Sequence, residues 1–257
     1  MPNADPSLDA LRKLAAIGGP GFVQQMSDLF ESHAPQKMGQ LLQAFADGNL
    51  EATARAAHAL KSTAGNVGAA ELFSAAARIE LDARANAPAN IATQLPSLQG
   101  VLADATTRLR ASVSVIAQEA TPLETRDRLA SEGRPRIALV EDNPDNRLLA
   151  VALLEDRYDV DEYENGIEAL DGIQLSPPDL VLLDISLPGM DGSEVLARLR
   201  TSLELADLPI VALTAHAMSG DRERFLGLGF DGYITKPIVE EQLLLDTIDA
   251  LLGARAR

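Results

Sequence analysis

Along the first 118 residues, apolar positions recur at spacings of three and four, the repeat of an amphipathic helix. Phe22, Met26, Leu29 and Phe30 form one such run, and Met38, Leu41, Leu42 and Phe45 form a second. Pro35 stands between them and is expected to kink or break the helix there. Gly48-Asn49 reads as a helix stop. Further helical runs follow over 50–66, 69–84 and 91–118, the second of them ending ahead of Asn86-Ala87-Pro88. Short alternating β-branched runs are missing from this half. Several helices with short joints predict an all-α bundle with four core helices over residues 1–118.

The pattern then changes. Residues 119–135 combine Thr121-Pro122, several charges, Gly133 and Pro135, and read as a linker, part of it helical. From residue 136 to the end at 257, apolar runs at 137–141, 158–163, 179–184, 209–214 and 232–235 alternate with helical segments at about 145–156, 166–174, 192–203, 219–228 and 238–252. Continuous runs such as Val181-Leu182-Leu183 and Ile210-Val211-Ala212-Leu213 suit strands buried on both faces. Strict β/α alternation predicts a doubly wound, five-stranded parallel sheet of flavodoxin-like type.

Charge separates the halves further. Residues 1–120 carry 11 acidic against 9 basic side chains, whereas residues 121–257 carry 27 against 13. A second half with net charge −14 repels nucleic-acid phosphates and suits a divalent cation or a basic partner; solubility alone would also account for it. The chain has no Cys, which excludes disulfides, thiolate metal sites and a thiol nucleophile. No basic segment followed by an apolar core opens the sequence, and no apolar run is long enough to insert into a membrane, so a cytoplasmic protein is expected.

In a sheet of this kind, chemistry gathers at the C-terminal strand ends. Glu141 and Asp142 end the first strand run, Asp184 the third and Thr214 the fourth; Lys236-Pro237 follows the fifth. Any one of these could be an ordinary helix cap. Together they place three carboxylates, a hydroxyl and an ammonium on one rim. Carboxylates so close repel unless a cation sits among them, and an all-oxygen donor set suits Mg²⁺, with Mn²⁺ as an alternative ion.

Residues 136–253 resemble a response-regulator receiver (CheY-like) domain, through the acidic pair of LVEDN, DISLPGMDG around Asp184, LTAHA around Thr214 and GYITKPI around Lys236. The spacings agree as well: 42 residues from Asp142 to Asp184, 30 on to Thr214 and 22 on to Lys236. The resemblance implies that Asp184 accepts phosphate from a phosphohistidine, and that Glu141, Asp142, Asp184 and the backbone carbonyl of Ser186 hold Mg²⁺. It implies that Lys236 and Thr214 contact the phosphoryl oxygens, and that the Lys236-Pro237 bond is cis. Tyr233 would be an aromatic switch coupled to Thr214; a half-buried strand tyrosine that never moves is the alternative. Ser186 and His216 each lie two residues beyond a site residue, where they could influence an attacking water; His216 reads equally as a surface residue.

In the helical half, His58 sits in AHALKSTAGNVGA, with Lys61 and Gly65 on the same helical face. Glycine costs about 1 kcal/mol relative to alanine inside a helix, and clearance for a docking partner would explain it. A neutral imidazole is a competent nucleophile. His58, Leu60, Lys61, Ala64, Gly65, Val67, Gly68 and Ala69 resemble the signature of a histidine phosphotransfer (HPt) domain; Ser62 stands where the family more often has Gly. This implies an exposed His58 that carries phosphate, with Lys61 steadying it. His33 lacks such neighbours and reads as surface.

The expectation is a two-component phosphorelay protein that moves phosphate between His58 and Asp184. No glycine-rich nucleotide loop or P-loop is visible, so a histidine kinase or hybrid kinase would supply the phosphate. Another receiver domain docking on His58 is a second expected partner. No separate substrate turnover is expected, only self-catalysed phosphorylation and dephosphorylation of the aspartate. A phosphate sink draining a kinase through Asp184, and a phosphorylation-controlled interaction switch, are the alternatives. The chain could equally be the tail of a longer hybrid kinase.

Overall fold

The computed structural model describes residues 6–119, 133–214, 221–238 and 241–255. The chain divides into two compact units, residues 1–125 and 126–257. Most of the expected linker, residues 120–132, and His216 lie outside the described residues.

The first unit consists of α1 (Pro6–Ala46), α2 (Leu50–Asn66), α3 (Ala70–Arg84) and α4 (Pro88–Glu119). Each helix packs on its neighbours in the chain, and α1 also packs on α4, which closes a four-helix bundle. Its core joins Leu11, Met26, Phe30 and Leu41 of α1 to Leu60 of α2, Leu72 and Ile79 of α3, and Ile91, Leu98 and Leu109 of α4. Gly48 takes a left-handed φ of 71° after α1, and the Asn49 side chain then accepts from Ala52 N at 2.9 Å to cap α2.

Pro35 does not end a helix. The backbone of α1 stays helical through it and departs only at Gly19, with φ 72° and ψ −175°, immediately before Pro20. Pro35 lies on the exposed side, so the carbonyl it leaves without a helical partner can bond water. At Pro20 the preceding glycine can take a backbone closed to other residues, and the break occurs there.

The second unit runs β1 (Arg136–Val140), α5 (Pro144–Leu154), β2 (Asp159–Tyr163), α6 (Gly166–Leu175), β3 (Leu180–Asp184), α7 (Gly192–Arg200), β4 (Ile210–Thr214), α8 (Asp221–Leu228), β5 (Gly232–Thr235) and α9 (Glu241–Arg255). All strand pairs are parallel, in the order β2-β1-β3-β4-β5. Ala138, Val140, Val181, Leu183, Ile210 and Ala212 bury one face of the sheet. The alternate residues Ile137, Leu139, Leu180, Leu182, Val211 and Leu213 are buried too, so both faces are covered. The order starts at an inner strand and turns back on itself between β1 and β3, which opens a crevice at their C-terminal ends.

Candidate functional site

Strand register brings the expected residues to that crevice. Val140 pairs with Leu183, so Glu141 and Asp142 leave β1 beside Asp184 at the end of β3. Asp184 pairs with Leu213, one residue before Thr214. The Lys236 backbone N–H donates to Thr214 O at 2.6 Å, which ties the exit of β5 to the end of β4. The Lys236-Pro237 bond is cis. Helix capping in this unit falls to Asn143, Asn165 and Asp191, whose side chains accept from Asp145 N, Glu168 N and Glu194 N. The rim acids are therefore not explained as caps.

One carboxylate oxygen each from Glu141, Asp142 and Asp184 lies within 4.8 Å of the others. Glu141 and Asp184 are buried and Asp142 is exposed. Lys236 Nζ reaches Asp184 Oδ2 at 2.7 Å and Glu141 Oε2 at 2.9 Å. Glu141 Oε1 accepts from Asn146 Nδ2 at 2.9 Å and from Asn143 N at 3.2 Å. Asp184 Oδ1 accepts from Ser186 N at 3.0 Å. Burial, and after it the negative charge of Asp184, pushes the Glu141 carboxyl up to about 7. Burial alone would depress the Lys236 ammonium; Asp184 and Glu141 outweigh it and hold the group above its ordinary range. The oxygen donors of the three carboxylates fit a hard divalent cation.

Gly192 makes the loop after Asp184 close. A Cβ there would lie 2.3 Å from Asp184 O, and Gly192 N donates to Ile185 O at 3.1 Å. Thr214 is buried at the rim. Tyr233 is half-buried and stacks on Phe225, with ring centroids 6.4 Å apart.

The structure corrects two expectations of exposure. Asp184, expected on an open rim, is 1% exposed, because Lys236 and the following loop close over it. His58, expected to be exposed, is 8% exposed, because its ring turns toward α3. There His58 Nδ1 lies 3.0 Å from Glu80 Oε1, and Lys61 Nζ donates to Glu80 Oε2 at 2.6 Å. Arg84 adds a bond to Oε1 at 2.9 Å. Lys61 is thus held by Glu80. Burial would raise the Glu80 carboxyl, but His58 and Lys61 hold it well below the usual carboxylate range. His33 is half-buried rather than a plain surface residue.

Sequence reasoning missed Glu80, Asn143 and Asn146. Glu80 carried a readable signal: it falls four residues after Ala76 and one after Ile79, on the apolar stripe of α3, where an unpartnered carboxylate is costly. Asn143 directly follows the acidic pair and caps α5, and Asn146 lies in the first turn of that helix.

Both units have relatives among known proteins. The family described as response regulator receiver domain matches residues 137–248, and the Hpt domain family matches residues 25–112. The chain is 41% identical over 142 residues to the sensor histidine kinase GacS of Pseudomonas protegens, covering 54% of this chain and 16% of that one. It is 40% identical over 108 residues to the signal transduction histidine-protein kinase BarA of Escherichia coli, covering 42% of this chain and 12% of BarA. The chain therefore spans less than a fifth of either kinase. It is 42% identical over 118 residues to the polar-differentiation response regulator DivK of Brucella anthropi, covering 46% of this chain and 95% of DivK. The receiver domain of sensor histidine kinase PA1611 from Pseudomonas aeruginosa, solved with a magnesium ion in its active-site cleft, aligns at 34% identity over 47% of this chain and 99% of its own, with a TM-score of 0.44. Among the described residues, no helix is long and apolar enough to cross a membrane. The chain belongs to the response regulator receiver family, its receiver in residues 137–248, and residues 25–112 ahead of it match the Hpt domain family.

Proposed function

We propose that this protein relays phosphate through two sites, His58 in the bundle and Asp184 in the receiver, with a histidine kinase or hybrid kinase as the source. The observation that carries the reading is the convergence of Glu141, Asp142 and Asp184 oxygens within 4.8 Å, with Lys236 Nζ 2.7 Å from Asp184.

An Asp184 carboxylate oxygen attacks the phosphorus of a phosphohistidine. The new O–P bond forms as the P–N bond breaks, and its electron pair returns to the imidazole. Glu141, Asp142, Asp184 and the carbonyl of Ser186 would hold the cation, Mg²⁺ or Mn²⁺. Bound there, it offsets charge on the transferring phosphoryl group. Lys236 exchanges its bond to Asp184 for a phosphoryl oxygen, and the Thr214 hydroxyl donates to another. Tyr233 then follows Thr214 and alters the surface around β5. In the bundle, Lys61 leaves Glu80 to steady phosphate on His58. An incoming receiver domain docks there, and a cytoplasmic location belongs to the same reading.

The test incubates wild type, His58→Gln and Asp184→Asn with a radiolabelled, phosphorylated kinase. Acid-labile label that disappears with His58→Gln, and base-labile label that disappears with Asp184→Asn, are expected. Wild type that takes label at neither residue contradicts the reading.

A further inference from the structure

Glu141 and Asp142 are adjacent, so a single rigid peptide plane joins them, and its carbonyl is that of Glu141. How that plane is turned sets the direction in which each acid leaves the backbone. The peptide before it is fixed, because Glu141 N donates to Tyr163 O of β2 at 3.0 Å. Arg147, in the first turn of α5, takes the carbonyl itself: its Nη1 donates to Glu141 O at 2.8 Å. The guanidinium is held from its other edge. Nη2 donates to Glu164 Oε1 at 2.7 Å, and Nε lies 3.3 Å from Glu162 Oε2. The arginine side chain is 13% exposed, whereas both glutamates are exposed. Ion pairs to such exposed carboxylates contribute little to stability. A positive charge bonded to this turn also repels any cation that the acids hold. A planar fork that fixes one carbonyl against two carboxylates accounts for an arginine here, since a lysine offers only a point charge.

Resting on the reading that Glu141 and Asp142 hold a divalent cation, we propose that Arg147 is a positioning residue for that site, locking the peptide between the two acids, with Glu162 and Glu164 as its anchors. Asn146 fixes the Glu141 carboxylate, through Oε1 at 2.9 Å, and Arg147 fixes the backbone behind it. One turn of α5 therefore sets both the side chain and the main chain of the acidic pair. The turn is ordered before any cation arrives, so binding does not have to order it. Without Arg147 the plane can rotate, and Asp142, the exposed member of the pair, loses its direction first. The sign of the effect separates positioning from charge. Removing a positive charge strengthens the attraction of the acids for a cation, whereas removing the lock weakens binding.

The test uses the whole chain labelled with ¹⁵N. Calorimetric titration with Mg²⁺ reads affinity, and Asp142→Ala defines the heat that belongs to this site. Amide relaxation in chelator reads the order of Asp142 and Asn143 with no cation bound. Arg147→Ala is expected to weaken Mg²⁺ binding on the order of 10-fold, and to lower the order of those two amides while the strand amides stay as in wild type. Arg147→Lys keeps the charge but not the fork, and is expected to show a comparable loss; it also serves if Arg147→Ala does not fold. Unchanged or tighter Mg²⁺ binding in Arg147→Ala overturns the proposal, as does unchanged order at Asp142 and Asn143. Wild-type affinity in Arg147→Lys overturns it too, because charge alone would then suffice. Wild type that binds no Mg²⁺ sensitive to Asp142→Ala refutes the cation reading instead, and leaves Arg147 no site to position.

Discussion

Lys236 Nζ sits 2.7 Å from Asp184 Oδ2 and, through the same atom, 2.9 Å from Glu141 Oε2. One ammonium from late in the domain sequence therefore bridges a buried carboxylate near its start and another near its middle. Truncation in Lys236→Met leaves both without their cationic partner, which for a buried ion pair costs about 3–5 kcal/mol. Urea unfolding should show that loss in the receiver transition, and Mg²⁺ should restore more stability to the variant than it adds to wild type.

A divalent cation held as proposed by Glu141, Asp142 and Asp184 would bind only the folded receiver and stabilise it by mass action. At a hundredfold excess over its dissociation constant the gain is about 2.7 kcal/mol. Thermal unfolding with Mg²⁺ against chelator should show a higher Tm in wild type. Asp142→Ala removes the exposed carboxylate of the cluster and should abolish most of the difference.

Gly192 approaches the backbone that carries Asp184, and a methyl there meets Asp184 O at 2.3 Å. Neither atom is the end of a flexible side chain, so the loop must move. Gly192→Ala should destabilise the receiver by about 1–3 kcal/mol and lower uptake of phosphate at Asp184. A Gly189→Ala variant is the contrast. Its added Cβ meets nothing within 4 Å, and its cost comes from the left-handed φ of 80°.

The bundle should carry a pH dependence from Glu80. Its carboxyl is depressed in the folded state by His58 and Lys61, against the opposing effect of burial. The stabilisation is present above the unfolded value of about 4.3 and is lost as pH falls below it. Stability of the helical unit should therefore fall with acid below about pH 4.3, and Glu80→Gln should flatten that slope.

The receiver was legible in the sequence because its site is built from strand ends. Once the runs ending in Glu141, Asp184 and Thr214 are read as parallel strands, their side chains must share a rim, and the register bears this out. The bundle was legible in its helices and in His58, but not in how His58 is held. Glu80 reaches His58 from another helix, 22 residues along the chain, and only packing of α2 on α3 brings them together. The same limit applies at Asn146, whose bond to Glu141 Oε1 depends on how α5 leaves β1. Pro35 misled because a proline's effect depends on exposure: on the solvent side its freed carbonyl bonds water, while the Gly19-Pro20 pair breaks the helix.

Identification of the phosphorylated residue tests the account most directly. The whole chain is phosphorylated in Mg²⁺ with a small acyl phosphate, reduced with borohydride, which converts an aspartyl phosphate to homoserine, and digested for mass spectrometry. The account predicts homoserine at position 184 and none in Asp184→Asn or in chelator. Homoserine at another aspartate, or none in wild type, would contradict it.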